Sequence, residues 1–341
     1  LKKRNIPCEL LLTSQNNVTF PKDILFKDEA ILLVKVKGKH IFNFSAFSNI
    51  YDLNSSYLGN EAYIIDLEKK TPSTIVTLPD SKWSDNKNAY SIEAKLDNTL
   101  ENLTVTRNSG FSGLSKGPNN ALALVYTEAL ENDYKTFGAP NPMEGLKKKE
   151  KEGAEKAMQA RQEENKKKKP EIMKTGLQED FTNIAKYNEF VLLSDGRSAE
   201  KDVLTYRENF VLGDMVKKAG KNLLIGLPSL VGGQIQIQPD EKTRQYDIDI
   251  RYARHSHWII SFIIPEGYTA EGLEEMKVNL DNETGSFVSA IKVENNKIIF
   301  DIKKVYKERQ VKKENWDKMV EFLDAAYNFS QKKIVLRKNN L

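Results

Sequence analysis

WIISFIIPEGY (258–268), MKVNL (276–280) and GSFVSAIKVENNKIIFDIKKVY (285–306) decide the fold. The first is a run of β-branched and aromatic residues stopped by Pro265 and Gly267, which is how a buried strand reads. The last is two apolar runs separated by a turn at Asn295-Asn296, a hairpin pattern. A helix follows at about 314–329, with Trp316, Met319, Val320, Leu323, Ala326 and Tyr327 on one face. KKIVLRK (332–338) is a last strand.

The same alternation continues upstream. YNEFVLLS (187–194), VLTYRENFVLGDMVKKAG (203–220), LLIGLP (223–228), QIQIQ (234–238) and YDIDIRY (246–252) are expected strands. Gly, Asp and Asn between them fit a sandwich. IVTL (75–78), YSIEAKL (90–96) and NLTVTRN (102–108) also alternate. FSGLSKGPNN (111–120) is rich in turn residues, and ALALVYTEALENDY (121–134) is helical in pattern. Near the start, ELLLTS (9–14), EAILLVKVK (29–37) and HIFNFS (40–45) are strands, and residues 46–70 are expected to be loop. LKKRNIPCELLL (1–12) reads as a helix end entering a strand, so the chain is expected to begin inside a domain whose first half precedes it.

One segment breaks the pattern. GLKKKEKEGAEKAMQARQEENKKKKPEIMKTG has almost no large apolar residues and many helix formers. An exposed helix and a linker, ended by Pro170, are expected over about 140–176. Lys166 to Lys169 raise the prospect of an anionic partner, but interleaved Glu favours a solvated helix face.

The 341 residues suffice for two or three domains, and 39% hydrophobic content supports real cores. A net charge of +4, from 52 basic and 48 acidic residues mixed along the chain, gives no argument for nucleic acid. The apolar runs are too short to span a bilayer as helices, so no transmembrane segment is expected. A single cysteine excludes an intrachain disulfide and a cysteine-based zinc site.

No motif assembles a catalytic or cofactor site. Cys8 lacks a sequence-near base and is expected to pack in a core. His255 and His257 share one face of an extended segment, as a two-histidine metal half-site would. No acidic residue at a fixed spacing completes it, and Arg251 and Arg254 would repel a cation, so ordinary strand residues are expected. The glycines near 110–117 and at Gly232-Gly233 form no phosphate-binding loop. The aromatics crowded into 246–329 are assigned to a sandwich core with a docked helix, in preference to a sugar or peptide groove. No cofactor and no metal are expected.

The segment IIPEGYTAEGLEEMKVNLDNETGSFVSAIKVENNKIIFDIKKVY, followed by ENWDKMVEFLDAAYNFSQKKIVLRK, resembles the C-terminal β domain of secreted bacterial transglutaminase-like proteins. RNIPCELLL, EAILLVKV and HIFNFSAF resemble the strands after the catalytic helix of the transglutaminase core. The resemblance implies a papain-like core with a Cys, a His and an Asp. The nucleophilic Cys would lie before Leu1, the His position falls on Glu29 (on Asp28 with a slip in alignment), and the Asp position falls on Asn43. A thiolate needs an imidazole partner, so the core is expected to be catalytically dead.

The expected fold is mainly β with α, an α+β chain. Residues 1–70 are the second half of a degenerate transglutaminase-like core. Residues 71–245 are a β-rich domain holding the helical insertion, and 246–341 a C-terminal β module with a packed helix. The modules are expected to be antiparallel sandwiches. The expected role is a non-catalytic binding or scaffold protein of the cell envelope, periplasmic or on the cell surface. Its partner would be a peptide, a polysaccharide or another envelope protein. Two alternatives remain open: a fragment of an active cysteine-dependent transglutaminase or peptidase, and a surface protein binding anionic partners through its lysines.

Overall fold

The computed structural model describes residues 6–16, 18, 20–24, 26–36, 38–41, 53–137, 143, 145–198 and 200–339. Its first strands are β1 (Cys8–Thr13), β2 (Ile31–Val36), β3 (Lys39–Ile41), β4 (Glu61–Asp66) and β5 (Thr71–Thr77). They form an antiparallel sheet in the order β3-β2-β1-β4-β5. Leu11, Leu33, Tyr57, Ala62 and Leu78 make its small core. The expected loop over 46–70 is thus corrected: Glu61–Asp66 is a strand, because β1 offers it a ladder in which Leu11 faces Ile64.

Three helices and six strands follow: β6 (Lys87–Leu96), β7 (Leu103–Phe111), α1 (Lys116–Ala123), α2 (Tyr126–Phe137), α3 (Lys148–Leu177), β8 (Ile184–Asp195), β9 (Leu204–Leu212), β10 (Val216–Ala219) and β11 (Asn222–Ile225). The rest of the chain supplies β12 (Ile248–Asp249), β13 (Arg254–Ile263), β14 (Tyr268–Glu271), β15 (Val278–Asp281), β16 (Gly285–Glu294), β17 (Lys297–Tyr306), β18 (Gln310–Val311), α4 (Trp316–Gln331) and β19 (Ile334–Lys338). Eight strands build one sheet, ordered β15-β16-β17-β13-β6-β7-β9-β8. Every neighbouring pair in it is antiparallel except β13 with β6, which run parallel with Trp258 opposite Tyr90. The sheet therefore draws strands from both sides of residue 245.

A second sheet, β10-β11-β19-β14, faces the large one across the main core. Phe262, Phe287, Phe300 and Ile302 of the large sheet share this core with Ile225, Ile334 and Leu336 of the small one. α4 contributes Trp316, Phe322, Leu323 and Phe329, all buried. Burying each such side chain is worth about 1.5–3 kcal/mol, which is why the apolar stripe sets the helix in place. The hairpin between β16 and β17 turns at Asn295 and Asn296, with φ of 50° and 58°. Asparagine tolerates this left-handed region better than most residues. The fold is mainly β with α. No helix among the described residues is long and apolar enough to cross a membrane.

Five local expectations are corrected. QIQIQ joins no ladder, and Ile235 is half exposed: it lies between Gly232-Gly233 and Pro239, which opens a 3-10 turn. YDIDIRY pairs only over Ile248–Asp249. The turn-rich FSGLSKGPNN contains the start of α1, whose Pro118 falls in the first turn, where a missing amide costs nothing. The helical run 121–134 is split, because Leu124 is extended with ψ of 160°. Pro170 does not end the charged helix either. α3 continues to Leu177, held by burial of Met173 and Leu177, and no linker follows Pro170.

Candidate functional site

β7 and β9 alternate strictly between buried and half-buried residues. The inward set on β7 is Leu103, Val105, Arg107, Ser109 and Phe111, and on β9 it is Leu204, Tyr206, Glu208, Phe210 and Leu212. A single charge thus points inward from each strand, positive on β7 and negative on β9, and the register sets Arg107 opposite Glu208. Glu208 is fully buried and Arg107 only 7% exposed. An unpaired charge there would be very costly, so the site persists only as a complete network.

The network is complete. Arg107 donates to Glu208 Oε2 from Nε at 3.1 Å and from Nη2 at 2.8 Å. Its Nη1 donates to Asp180 Oδ2 at 2.9 Å. Tyr187 of β8 donates its hydroxyl to Glu208 Oε1 at 2.9 Å. Asp180 sits in the turn that ends α3, where its amide donates to the Leu177 carbonyl at 3.1 Å. Gly232 has φ of +79°, and a Cβ there would come within 2.5 Å of Asp180 Oδ1, so only glycine lets this loop approach the carboxylate.

Electrostatics fix the protonation of the site. Burial pulls the Arg107 pKa down, but Glu208 and Asp180 outweigh it and hold the guanidinium charged. Burial raises the phenol pKa values of Tyr90, Tyr187 and Tyr206, and the Glu208 carboxylate adds to the rise at Tyr187. Each of these shifts leads away from neutral pH. General acid–base catalysis needs the opposite.

A cavity of about 370 Å³ opens beside the network. The sheet contributes Tyr90, Arg107, Phe111, Tyr206 and Glu208, and α1 contributes Pro118, Asn119 and Leu122. Met173, Gly176, Leu177, Glu179 and Asp180 come from the end of α3. A second cavity of about 270 Å³ adjoins the same helices, with Lys169, Glu128 and Phe190 in its wall. Lys169 Nζ donates to the Leu122 carbonyl at 2.7 Å, 5.4 Å from the centre of the Phe190 ring, and burial lowers its pKa to about 8.

The positions picked out from the sequence lie elsewhere. Glu29 ends a 3-10 turn, where its carboxylate accepts the Phe26 amide at 3.1 Å. Asn43 lies outside the described residues. Cys8, expected in a core, is only half-buried at the start of β1, opposite Val36. His255 and His257 do share a face of β13, with ring centres 6.3 Å apart. His257 Nε2 lies 2.9 Å from Asp301 Oδ1, and His255 meets the Trp83 ring edge-on. Burial first, then His257, Lys87 and Lys303, lower the His255 pKa. Among the described residues no group of three His, Cys, Asp or Glu is placed to hold a metal ion.

Sequence reasoning passed over Arg107 and Glu208, although a signal was present. Each breaks an apolar face at inward parity, in NLTVTRN and in LTYRENFVL, with opposite sign. Asp180 carries no comparable signal, because it follows a helix whose extent was misjudged at Pro170.

Residues 222–336 match a family model, DUF3858, described as a domain of unknown function with a solved structure. No curated protein matches the chain, and no solved structure does. The matched segment runs from β11 into β19 and holds α4 and Gly232, whereas Arg107, Asp180 and Glu208 lie before it.

Proposed function

We propose that this chain is a non-catalytic binding module of an exported, cell-envelope protein with a degenerate transglutaminase-like core, and that the cavity beside Arg107, Asp180 and Glu208 holds its peptide or polysaccharide ligand. The carrying observation is the cavity: a concave site where convergent, fixed polar groups meet aromatic and aliphatic side chains is a form that binding pockets take. Its polar groups are already oriented by one another, so little ordering is required when a ligand enters. The Tyr90 and Tyr187 phenols and the Arg107 guanidinium are shifted away from the pKa range of a general acid or base. The envelope assignment rests on the sequence resemblance. The family match over 222–336 overlaps the segment that resembles a C-terminal β domain of unknown function.

The test is methyl NMR on the full chain, with Leu122, Met173 and Leu177 as reporters in the cavity wall. Peptides and oligosaccharides, neutral and charged, are added singly. Saturable shifts at these three methyls are expected for at least one class. A panel that leaves all three unmoved would refute the binding reading.

A further inference from the structure

The charge balance of the cavity identifies the chemistry of its ligand. Three carboxylates line it, from Glu179, Asp180 and Glu208, against one cation, Arg107. Arg107 is already engaged by two of them at 2.8–3.1 Å, so its charge is spent inside the wall. Glu208 is committed as well: its Oε2 accepts from Arg107 and its Oε1 from Tyr187. The negative charge left over therefore lies on Asp180 and Glu179, both more exposed than Glu208. Aromatic and aliphatic side chains such as Tyr90, Phe111 and Leu122 line the same cavity. An entering anion would be repelled by this excess. An ammonium or guanidinium on an alkyl stem would meet complementary charge at Asp180 and Glu179 and apolar side chains along the stem.

We infer that the cavity takes an organic cation, an alkylammonium or guanidinium group such as a lysine or arginine side chain of a peptide. The inference rests on the binding reading above and narrows it to one ligand class.

The probes are N-acetyl-lysine methylamide, its uncharged isostere N-acetyl-norleucine methylamide, N-acetyl-glutamate methylamide and a neutral chitooligosaccharide. Binding is followed at the Leu122, Met173 and Leu177 methyls. The lysine probe is expected to bind at least tenfold more tightly than the norleucine probe, a difference of about 1.4 kcal/mol, and more weakly as salt rises. Glu179→Gln with Asp180→Asn keeps hydrogen-bonding atoms in place and removes two negative charges. It is expected to erase the lysine preference, with folding checked by the thermal midpoint. Equal or tighter cavity binding of the glutamate, norleucine or saccharide probe would overturn the cation assignment and leave the binding module standing. A lysine preference that survives the double variant would overturn it too. Silence of all four probes at all three methyls would remove both readings.

Discussion

Arg107 shows how a single residue can be both a liability and a fixed point. Its guanidinium neutralises Glu208, which has no exposure of its own. Arg107→Met leaves that carboxylate buried with the Tyr187 hydroxyl alone, and removing one member of a buried pair typically costs about 3–5 kcal/mol. Urea denaturation should show a loss of that order, and Arg107→Met combined with Glu208→Leu should recover much of it. A single-variant cost below about 1 kcal/mol, the range of a surface change, would mean that the pair is solvated. Lys169 tests the electrostatics with the opposite sign. Its pKa falls from 10.5 to about 8 on folding, so between those values the unfolded chain binds more protons. Stability from this group is therefore complete above pH 10.5 and is lost as pH falls toward 8. Lys169→Met should remove this rise from the stability–pH curve, and identical slopes for the two proteins would contradict the burial of Nζ.

At the scale of elements, α4 and α3 are opposites. α4 buries Leu323 to 2% exposure inside the main core. Leu323→Ala should cost about 2–5 kcal/mol, the transfer term plus the cavity, read as a shifted denaturation midpoint; an unmoved midpoint would place this face in solvent. α3 buries only Met173 and Leu177, near its C-terminal end, and is almost wholly exposed before them. Brief trypsin treatment should therefore cut first between Gly145 and Lys168, where local opening is cheapest. First cuts within 246–339 would show that the softness lies elsewhere. These contrasts explain what was legible. The β16–β17 hairpin and α4 could be read from the sequence because turn residues and apolar period are local signals. QIQIQ alternates equally well, but alternation cannot supply a ladder partner, and none is found. Arg107 and Glu208 could be read as misplaced charges, but not as partners. β7 and β9 pair across three intervening helices and a strand, a distance no periodicity reports.

Among the described residues, three apolar clusters of unequal size divide the molecule, one of them a small group around Phe111, Met173 and Tyr206. The large sheet, the small sheet and α4 share one apolar cluster, and the parallel β6–β13 pairing ties residues 87–96 to 254–263. Those strands can separate only by breaking the central ladder and exposing Ile92, Ile260 and Phe300 together. The N-terminal sheet has its own small cluster around Leu11 and Leu33. One link between it and the large body is Arg309, which donates from Nη2 to the Leu58 carbonyl at 3.3 Å and reaches Asp80 Oδ2 at 3.5 Å. Its Nη1 holds Asp249 at 3.1 Å. Five described core residues give the small sheet a far weaker cluster than the main core, so it should open first and independently. Native-state hydrogen exchange should resolve two tiers. Amides of Leu11, Leu33 and Ala62 should exchange through a low-energy opening, while those of Ile92, Ile260 and Phe300 should require global unfolding. Arg309→Ala should weaken protection in the first group and leave the second unchanged. A single common exchange free energy for both groups, shifted equally by Arg309→Ala, would mean that the five-stranded sheet and the eight-stranded sheet fold as one cooperative unit.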